Sequence, residues 1–212
     1  MENKRFLIIL AVIAVGFVGL IGYIKLTAPP KVTSGGSSNV FGKLDSPVTL
    51  TEFVDFQCEA CYAFYPTVKE VKEKYKDRVK FQVKYFPISN GHQFSLMTAA
   101  NAEAAARQGK FWEMHNKLLE GQKIWEQSQD PQQQYFNQYA KDIGLNIEKF
   151  KADIKDPKTT ATINADLDEV KRLGGDGTPT FALNGEKIKN PENTVEAFSK
   201  VLDDALARAE KN

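Results

Sequence analysis

Cys58 and Cys61 are the only thiols in the 212-residue sequence, and they stand close together as Cys58-Glu59-Ala60-Cys61. No further cysteine is available for a cross-link elsewhere, so the two act as a unit. A bridge closing so short a loop constrains little of the unfolded chain, which disfavours a purely structural disulfide. The chemistry that suits this spacing is thiol–disulfide exchange. One sulfur attacks as a thiolate, and the other, a helical turn further on, resolves the mixed disulfide.

Such a pair needs a junction that lowers one thiol's proton affinity. The stretch Val48-Thr49-Leu50-Thr51-Glu52-Phe53-Val54-Asp55-Phe56 has the β-branched and aromatic composition of a strand and delivers the cysteines to its C-terminal end. Residues 61–76 then carry Tyr62, Tyr65, Val68, Val71, Lys72 and Tyr75 at helical spacing, so Cys58 is placed to cap a helix whose unpaired N–H groups and dipole favour its thiolate. Pro66 falls inside that pattern and is expected to kink the helix or mark its restart. Glu52 shares a face of the period-two strand with Val48, Leu50, Val54 and Phe56, which aims a carboxylate at an apolar layer. Burial there raises its pKa and suits it to proton transfer; the competing reading is a solvated strand face. Asp55 lies on the opposite face and is read as structural.

Further on, residues 79–86 alternate as a second strand, and from His92 to about Leu173 the pattern is helical. Strand character returns at Thr180-Phe181-Ala182-Leu183, with Asn184-Gly185 signalling a tight hairpin, and residues 192–209 close as an amphipathic helix. The order of strand, helix, strand, helical insertion, hairpin and helix predicts an α/β sandwich.

On three stretches the chain resembles the thioredoxin superfamily, specifically its DsbA-like branch of extracytoplasmic disulfide oxidoreductases. These are Phe53-Val54-Asp55-Phe56-Gln57-Cys58-Glu59-Ala60-Cys61, Gly109-Lys110-Phe111-Trp112-Glu113, and Gly177-Thr178-Pro179-Thr180-Phe181 with Asn184-Gly185. The resemblance covers roughly residues 44–209 and implies a thioredoxin-like fold with a helical insertion at about 92–173. It makes Pro179 a cis-proline beside the reactive disulfide and Thr178 a backbone contact for substrate. It also places at Glu52 the buried acid that handles the proton of the second cysteine. No cofactor beyond the Cys58–Cys61 disulfide is implied.

The dipeptide Glu59-Ala60 departs from the proline or histidine usual in this family. A carboxylate beside the first sulfur is expected to raise the Cys58 pKa and make the disulfide less oxidising. The leading expectation is an oxidase that donates its disulfide to reduced exported proteins and is reoxidised by a quinone-linked membrane enzyme. The alternatives are a reductase or isomerase kept reduced by a transmembrane electron donor, and a redox-inert binding or chaperone module.

The remaining features bound these readings. With 28 basic against 27 acidic residues there is no basic stripe for nucleic acid. His92 and His115 could join the cysteines around zinc, but they lack paired spacing and no metal site is expected. Phe111, Trp112, Met114, Leu118 and Leu119 read as core, while Tyr62, Phe64 and Tyr65 could be buried or line a groove. The charge run from Lys69 to Arg78 reads as a solvated helix face.

Residues 6–24 form an uncharged apolar run long enough, at roughly 28 Å as a helix, to cross a bilayer. A cleaved signal peptide would have a shorter run ending in a small-x-small site. Lys4 and Arg5 precede the run and predict a cytoplasmic tail with the rest outside. The expected organisation is therefore a tail and anchor at 1–26, a Pro/Gly/Ser-rich flexible linker at 27–43, and one folded domain at 44–212.

Overall fold

The apolar run after Pro47 forms the central strand of a five-stranded sheet. The computed structural model describes residues 35–88, 90–128 and 132–211. The anchor expected at residues 6–24 lies outside the described residues, among which no helix is long and apolar enough to cross a membrane. The strands are β1 (Asn39–Gly42), β2 (Thr49–Val54), β3 (Lys80–Tyr85), β4 (Thr180–Leu183) and β5 (Glu186–Lys187), in the order β1-β3-β2-β4-β5. Strands β2 and β3 run parallel, with Glu52 opposite Val83, whereas β4 runs antiparallel to β2, with Phe53 opposite Thr180. That antiparallel pairing returns the start of β4 to the C-terminal end of β2. The Asn184-Gly185 turn takes positive φ at both residues, 51° and 84°, as a two-residue hairpin requires.

Helices cover both faces. Strand β2 alternates Leu50, Glu52 and Val54 toward one face and Thr51 and Phe53 toward the other. Helix α1 (Glu59–Tyr75) and the closing helix α8 (Val195–Ala209) pack Val68, Val71, Tyr75, Phe198 and Leu202 against Leu50, Phe81 and Phe181. On the opposite face, Val170 of α7 (Pro157–Arg172) packs with Phe53 and Ala182. Between β3 and β4 the chain inserts α2 (Ser95–Ala106), α3 (Phe111–Glu120), the short α4 (Gln122–Trp125), α5 (Gln132–Asp142), α6 (Ile147–Lys155) and then α7. Their core, with Met114, Leu118, Trp125, Phe136 and Phe150 fully buried, is continuous with Val54, Phe56 and both cysteines. The insertion thus forms one wall of the region around the cysteine pair.

Three local expectations need correction. The linker does not extend to residue 43, because Asn39–Gly42 is a strand paired antiparallel with β3. An open strand edge offers a row of unpaired N–H and C=O groups, and this short segment satisfies it despite its Gly/Ser composition. Trp112 Nε1–H donates to the Val40 carbonyl at 2.9 Å. Buried Asp166 accepts from the Ser37 N–H at 2.9 Å, the Ser37 hydroxyl at 2.6 Å and the Tyr85 N–H at 3.0 Å. Gly42 turns the chain at φ +84°, where a Cβ would sit 2.5 Å from the Val79 carbonyl oxygen.

Helix α1 is also continuous from Glu59 to Tyr75, with Pro66 on its exposed face rather than at a restart. Finally, Lys72 is not part of a solvated face. It is buried at 8% exposure, because it occupies the apolar stripe four residues after Val68.

Candidate active site

The loop between β2 and α1 is held before the first cysteine is reached. Buried Asp55 accepts from the Gln57 N–H at 2.9 Å and the Ile88 N–H at 2.9 Å, and pairs with His92 Nδ1 at 2.8 Å. Its own carbonyl accepts from the Cys58 N–H at 3.1 Å. Asp55 is therefore structural, as its strand face indicated, and His92 is engaged by it rather than turned toward the cysteines.

Cys58 occupies the N-cap of α1 in extended backbone geometry, φ −72° and ψ 125°, so the first N–H groups of the helix converge on its sulfur. Both thiols are free; Cys58 is 9% exposed and Cys61 fully buried. The Cys58 thiol donates to the Thr178 carbonyl at 3.4 Å. Its pKa is held down to about 5, first by the hydrogen bond from the Cys61 thiol, then by the Thr178 hydroxyl and the Cys61 and Ala60 N–H groups, against the opposing effect of burial. That hydroxyl is buried and makes no hydrogen bond to another oxygen or nitrogen among the described residues, which leaves it available to the sulfur. Cys61 is pushed well above the ordinary thiol value, chiefly by burial and then by its bond to Cys58 and the nearby charges of Cys58 and Glu52. Two chemically identical groups thus differ sharply in proton affinity because one accepts from the Cys61 thiol, the Thr178 hydroxyl and helix N–H groups while the other lies in an apolar interior.

Glu52 lies on the α1 side of β2 at 6% exposure, behind Cys61. Burial raises its pKa to about 7, opposed by the charge of Lys72. The Lys72 ammonium sits over the Trp112 ring, 3.8 Å from its centroid, with Phe41 at 5.5 Å. Burial lowers Lys72 to about 8 even though Glu52 favours its charge. His115 is packed against Phe56, Tyr65, Phe111 and Trp112, and burial with the Lys72 charge drives its pKa to about 3. It is a neutral core imidazole. Neither histidine stands with the thiols as a ligand set, and no cluster of three or more metal-ligating side chains occurs among the described residues.

Thr178 and Pro179 arrive beside Cys58 through the antiparallel β4, and the bond between them is cis. Asn190 Nδ2 donates to the Pro179 carbonyl at 2.7 Å and steadies that loop. Glu59 departs from expectation. Its carboxylate points to solvent and pairs with Lys123 of α4 at 3.0 Å, and it is not among the groups that shift Cys58. Ala60 contributes only its N–H. Among the following aromatics, Tyr65 donates to Glu120 at 2.7 Å, Phe64 packs on Phe181 and Phe198, and Tyr62 remains exposed.

Lys72, Gln122, Lys123 and Asn190 were not singled out from the sequence. Lys72 alone left a trace there, as a cation on an apolar stripe. Gln122 and Lys123 act through contacts with residues more than sixty positions away, and Asn190 through a loop contact eleven positions away, none of which a local pattern encodes.

Residues 34–204 match the family described as Thioredoxin. Among curated proteins, the chain is 33% identical over 171 residues to Na(+)/H(+) antiporter NhaA 3 of Salinispora tropica, covering 81% of this chain and 25% of that protein. It is 31% identical over 155 residues to NhaA 1 of Mycolicibacterium vanbaalenii, covering 72% and 24%. The chain therefore spans only about a quarter of the length of these relatives.

Among solved structures, a thioredoxin-like oxidoreductase of Silicibacter pomeroyi is similar at TM-score 0.63 and 26% identity, covering 82% of this chain and 92% of that one. BdbD of Bacillus subtilis aligns at TM-score 0.69 and 24% identity, covering 84% and 99%. Wolbachia pipientis alpha-DsbA1 aligns at 0.70 and 19%, covering 87% and 96%; both are likenesses of fold alone. With its cysteine pair at the head of α1, Pro179 beside it and a helical insertion in the fold, the chain belongs to the thioredoxin family.

Proposed function

We propose that the chain is an extracytoplasmic thiol–disulfide oxidoreductase that forms disulfide bonds in exported proteins through Cys58 and Cys61. The observation that carries this reading is the opposed proton affinity of the two thiols, Cys58 lowered to about 5 and Cys61 raised. In the oxidised chain, a substrate thiolate attacks Cys58 Sγ. The Cys58–Cys61 bond breaks, and Cys61 departs with the electron pair and takes a proton from Glu52. A second substrate thiolate then attacks the substrate sulfur of the mixed disulfide and Cys58 leaves as a thiolate. The substrate loses two electrons to the chain, its two thiol protons pass to solvent as its thiolates form, and Glu52 regains its proton from solvent. A low pKa makes Cys58 a good leaving group and stabilises the dithiol state, which makes the disulfide oxidising.

Thr178 is the backbone contact for the substrate in this reading, with Pro179 shaping the loop. No cofactor beyond the cysteine pair is required. Reoxidation falls to a quinone-linked membrane partner, and the chain is held at the cell membrane by its N-terminal segment, with the domain outside. Pairing of Glu59 with Lys123 weakens the case for a reductase or isomerase, and two free thiols of unequal affinity weigh against an inert scaffold.

The test is equilibration of the cysteine pair with glutathione buffers, together with oxidation of a reduced, unfolded protein. A potential well above about −200 mV and transfer abolished by Cys58→Ala are expected. A value near or below about −270 mV sinks the oxidase reading in favour of a reductase, and no exchange at all favours the scaffold. Digestion of the domain by protease added to intact spheroplasts checks the topology; resistance until lysis contradicts it.

A further inference from the structure

The insertion grips the cysteine loop at several points, most of them on or beside one short element. From α4, Gln122 Nε2 donates to the Phe56 carbonyl at 2.9 Å and to the Cys58 carbonyl at 3.0 Å. Lys123 pairs with Glu59 at 3.0 Å. Glu126, just beyond α4, accepts from Gln57 Nε2 at 3.4 Å, and the Phe94 N–H donates to Gln57 Oε1 at 2.7 Å. Lys123 and Glu126 lie toward solvent, so their contacts are screened. Gln122 differs. It is completely buried, both hydrogens of its carboxamide are committed to carbonyls flanking Gln57, and its Oε1 has no partner among the described residues. An acceptor left unsatisfied in a buried site carries a cost, and the donors opposite it must offset that cost.

We infer that Gln122 is a positioning residue for Cys58, fixing the carbonyl from which α1 starts and thereby the aim of the helix N–H groups at the sulfur. The inference rests on the reading of Cys58 as the attacking and leaving sulfur. The Cys58 carbonyl also accepts from the Tyr62 N–H at 3.1 Å, the bond that closes the first turn of the helix. A donor locked onto this carbonyl restrains that turn, and with it the Ala60 and Cys61 N–H groups. It also offsets the carbonyl's partial negative charge, which otherwise opposes a thiolate on the same residue. Both effects have the same sign. The wall of the fold that is peculiar to the insertion thus acts on the sulfur without touching it.

The experiment titrates the reduced chain by thiolate absorbance and equilibrates it with glutathione, comparing wild type with Gln122→Met, which keeps volume and removes both donors. The Cys58 pKa is expected to rise by about one unit, a tenfold smaller thiolate-to-thiol ratio below the pKa. The equilibrium constant for oxidising glutathione falls in the same direction, by up to about tenfold. Gln122→Asn, which keeps a carboxamide but loses its reach, gives the same direction of change. Unchanged pKa and potential in a folded variant overturn the inference.

Side-chain amide NMR of the wild-type chain gives an answer even if neither variant folds. The Gln122 NH₂ protons are expected to exchange slowly and to shift with the Cys58 titration. Exchange at the rate of a free amide, or no response to that titration, equally overturns it. Failure of the underlying reading looks different, because a wild type that does not exchange with glutathione still permits the titration and the NMR measurement.

Discussion

Replacing Glu52 by glutamine removes a buried ionisable group while keeping its shape, and the pH dependence of stability then isolates what burial does to it. In the folded chain Glu52 titrates at about 7 against an ordinary 4.5. A raised carboxyl means that between those values the unfolded chain ionises while the folded chain still holds its proton. Stability is therefore lost as pH rises from 4.5 to about 7, and the loss is complete above that. A difference of this size corresponds to about 3 kcal/mol.

Glu52→Gln does not suffer that loss, but it removes the carboxylate that favours the charge of Lys72, already lowered to about 8. The net gain at pH 8 is therefore smaller, on the order of 1–3 kcal/mol, and close to zero near pH 4.5. The ionisation of Cys58 is common to both proteins and cancels. Urea unfolding of the reduced chain at the two pH values measures the difference. Parallel pH profiles for wild type and variant would show that Glu52 is not desolvated in the folded state, and the proton-transfer role assigned to it would fall with that result.

Iodoacetamide at pH 6 is expected to modify Cys58 and spare Cys61 in the reduced chain, and mass spectrometry of the peptides reads the outcome. In Cys61→Ala the Cys58 pKa should climb from about 5, since the hydrogen bond from Cys61 is the largest influence lowering it; an unmoved titration contradicts that assignment. Glu59→His should change the redox potential by less than about 30 mV, because the carboxylate is exposed and already paired with Lys123. A much larger rise would restore Glu59 as a tuning residue. Asp166→Asn leaves buried Lys84 without its buried carboxylate partner at 3.4 Å and should cost about 3 kcal/mol by denaturant unfolding. A loss under about 1 kcal/mol would mean that Glu169, 2.7 Å from the same ammonium, suffices.

The sequence by itself determined the features that depend on local order. The pair Cys58 and Cys61, the strand that delivers them, the helix they open and the Asn184-Gly185 turn all follow from residue types at fixed spacing. Backbone geometry converts such spacing directly into a shared face or a shared turn. Glu52 was legible for the same reason, as a carboxylate in phase with apolar neighbours. Tertiary structure alone decided what surrounds them. Asn39–Gly42 became a strand only because β3 had an open edge, and Lys72 found a neutral face to rest on only because Trp112 came from the insertion. The charge of Glu59 is offset by Lys123, and the carbonyl of Cys58 is fixed by Gln122, each more than sixty positions away in sequence. Proton affinity responds to every dipole and charge within a few ångströms, regardless of where those groups lie in the sequence. The lowering of the Cys58 thiol that its place at the head of a helix implied is therefore reinforced by residues that only folding brings near, Cys61 and Thr178, and Glu59 has no part in it.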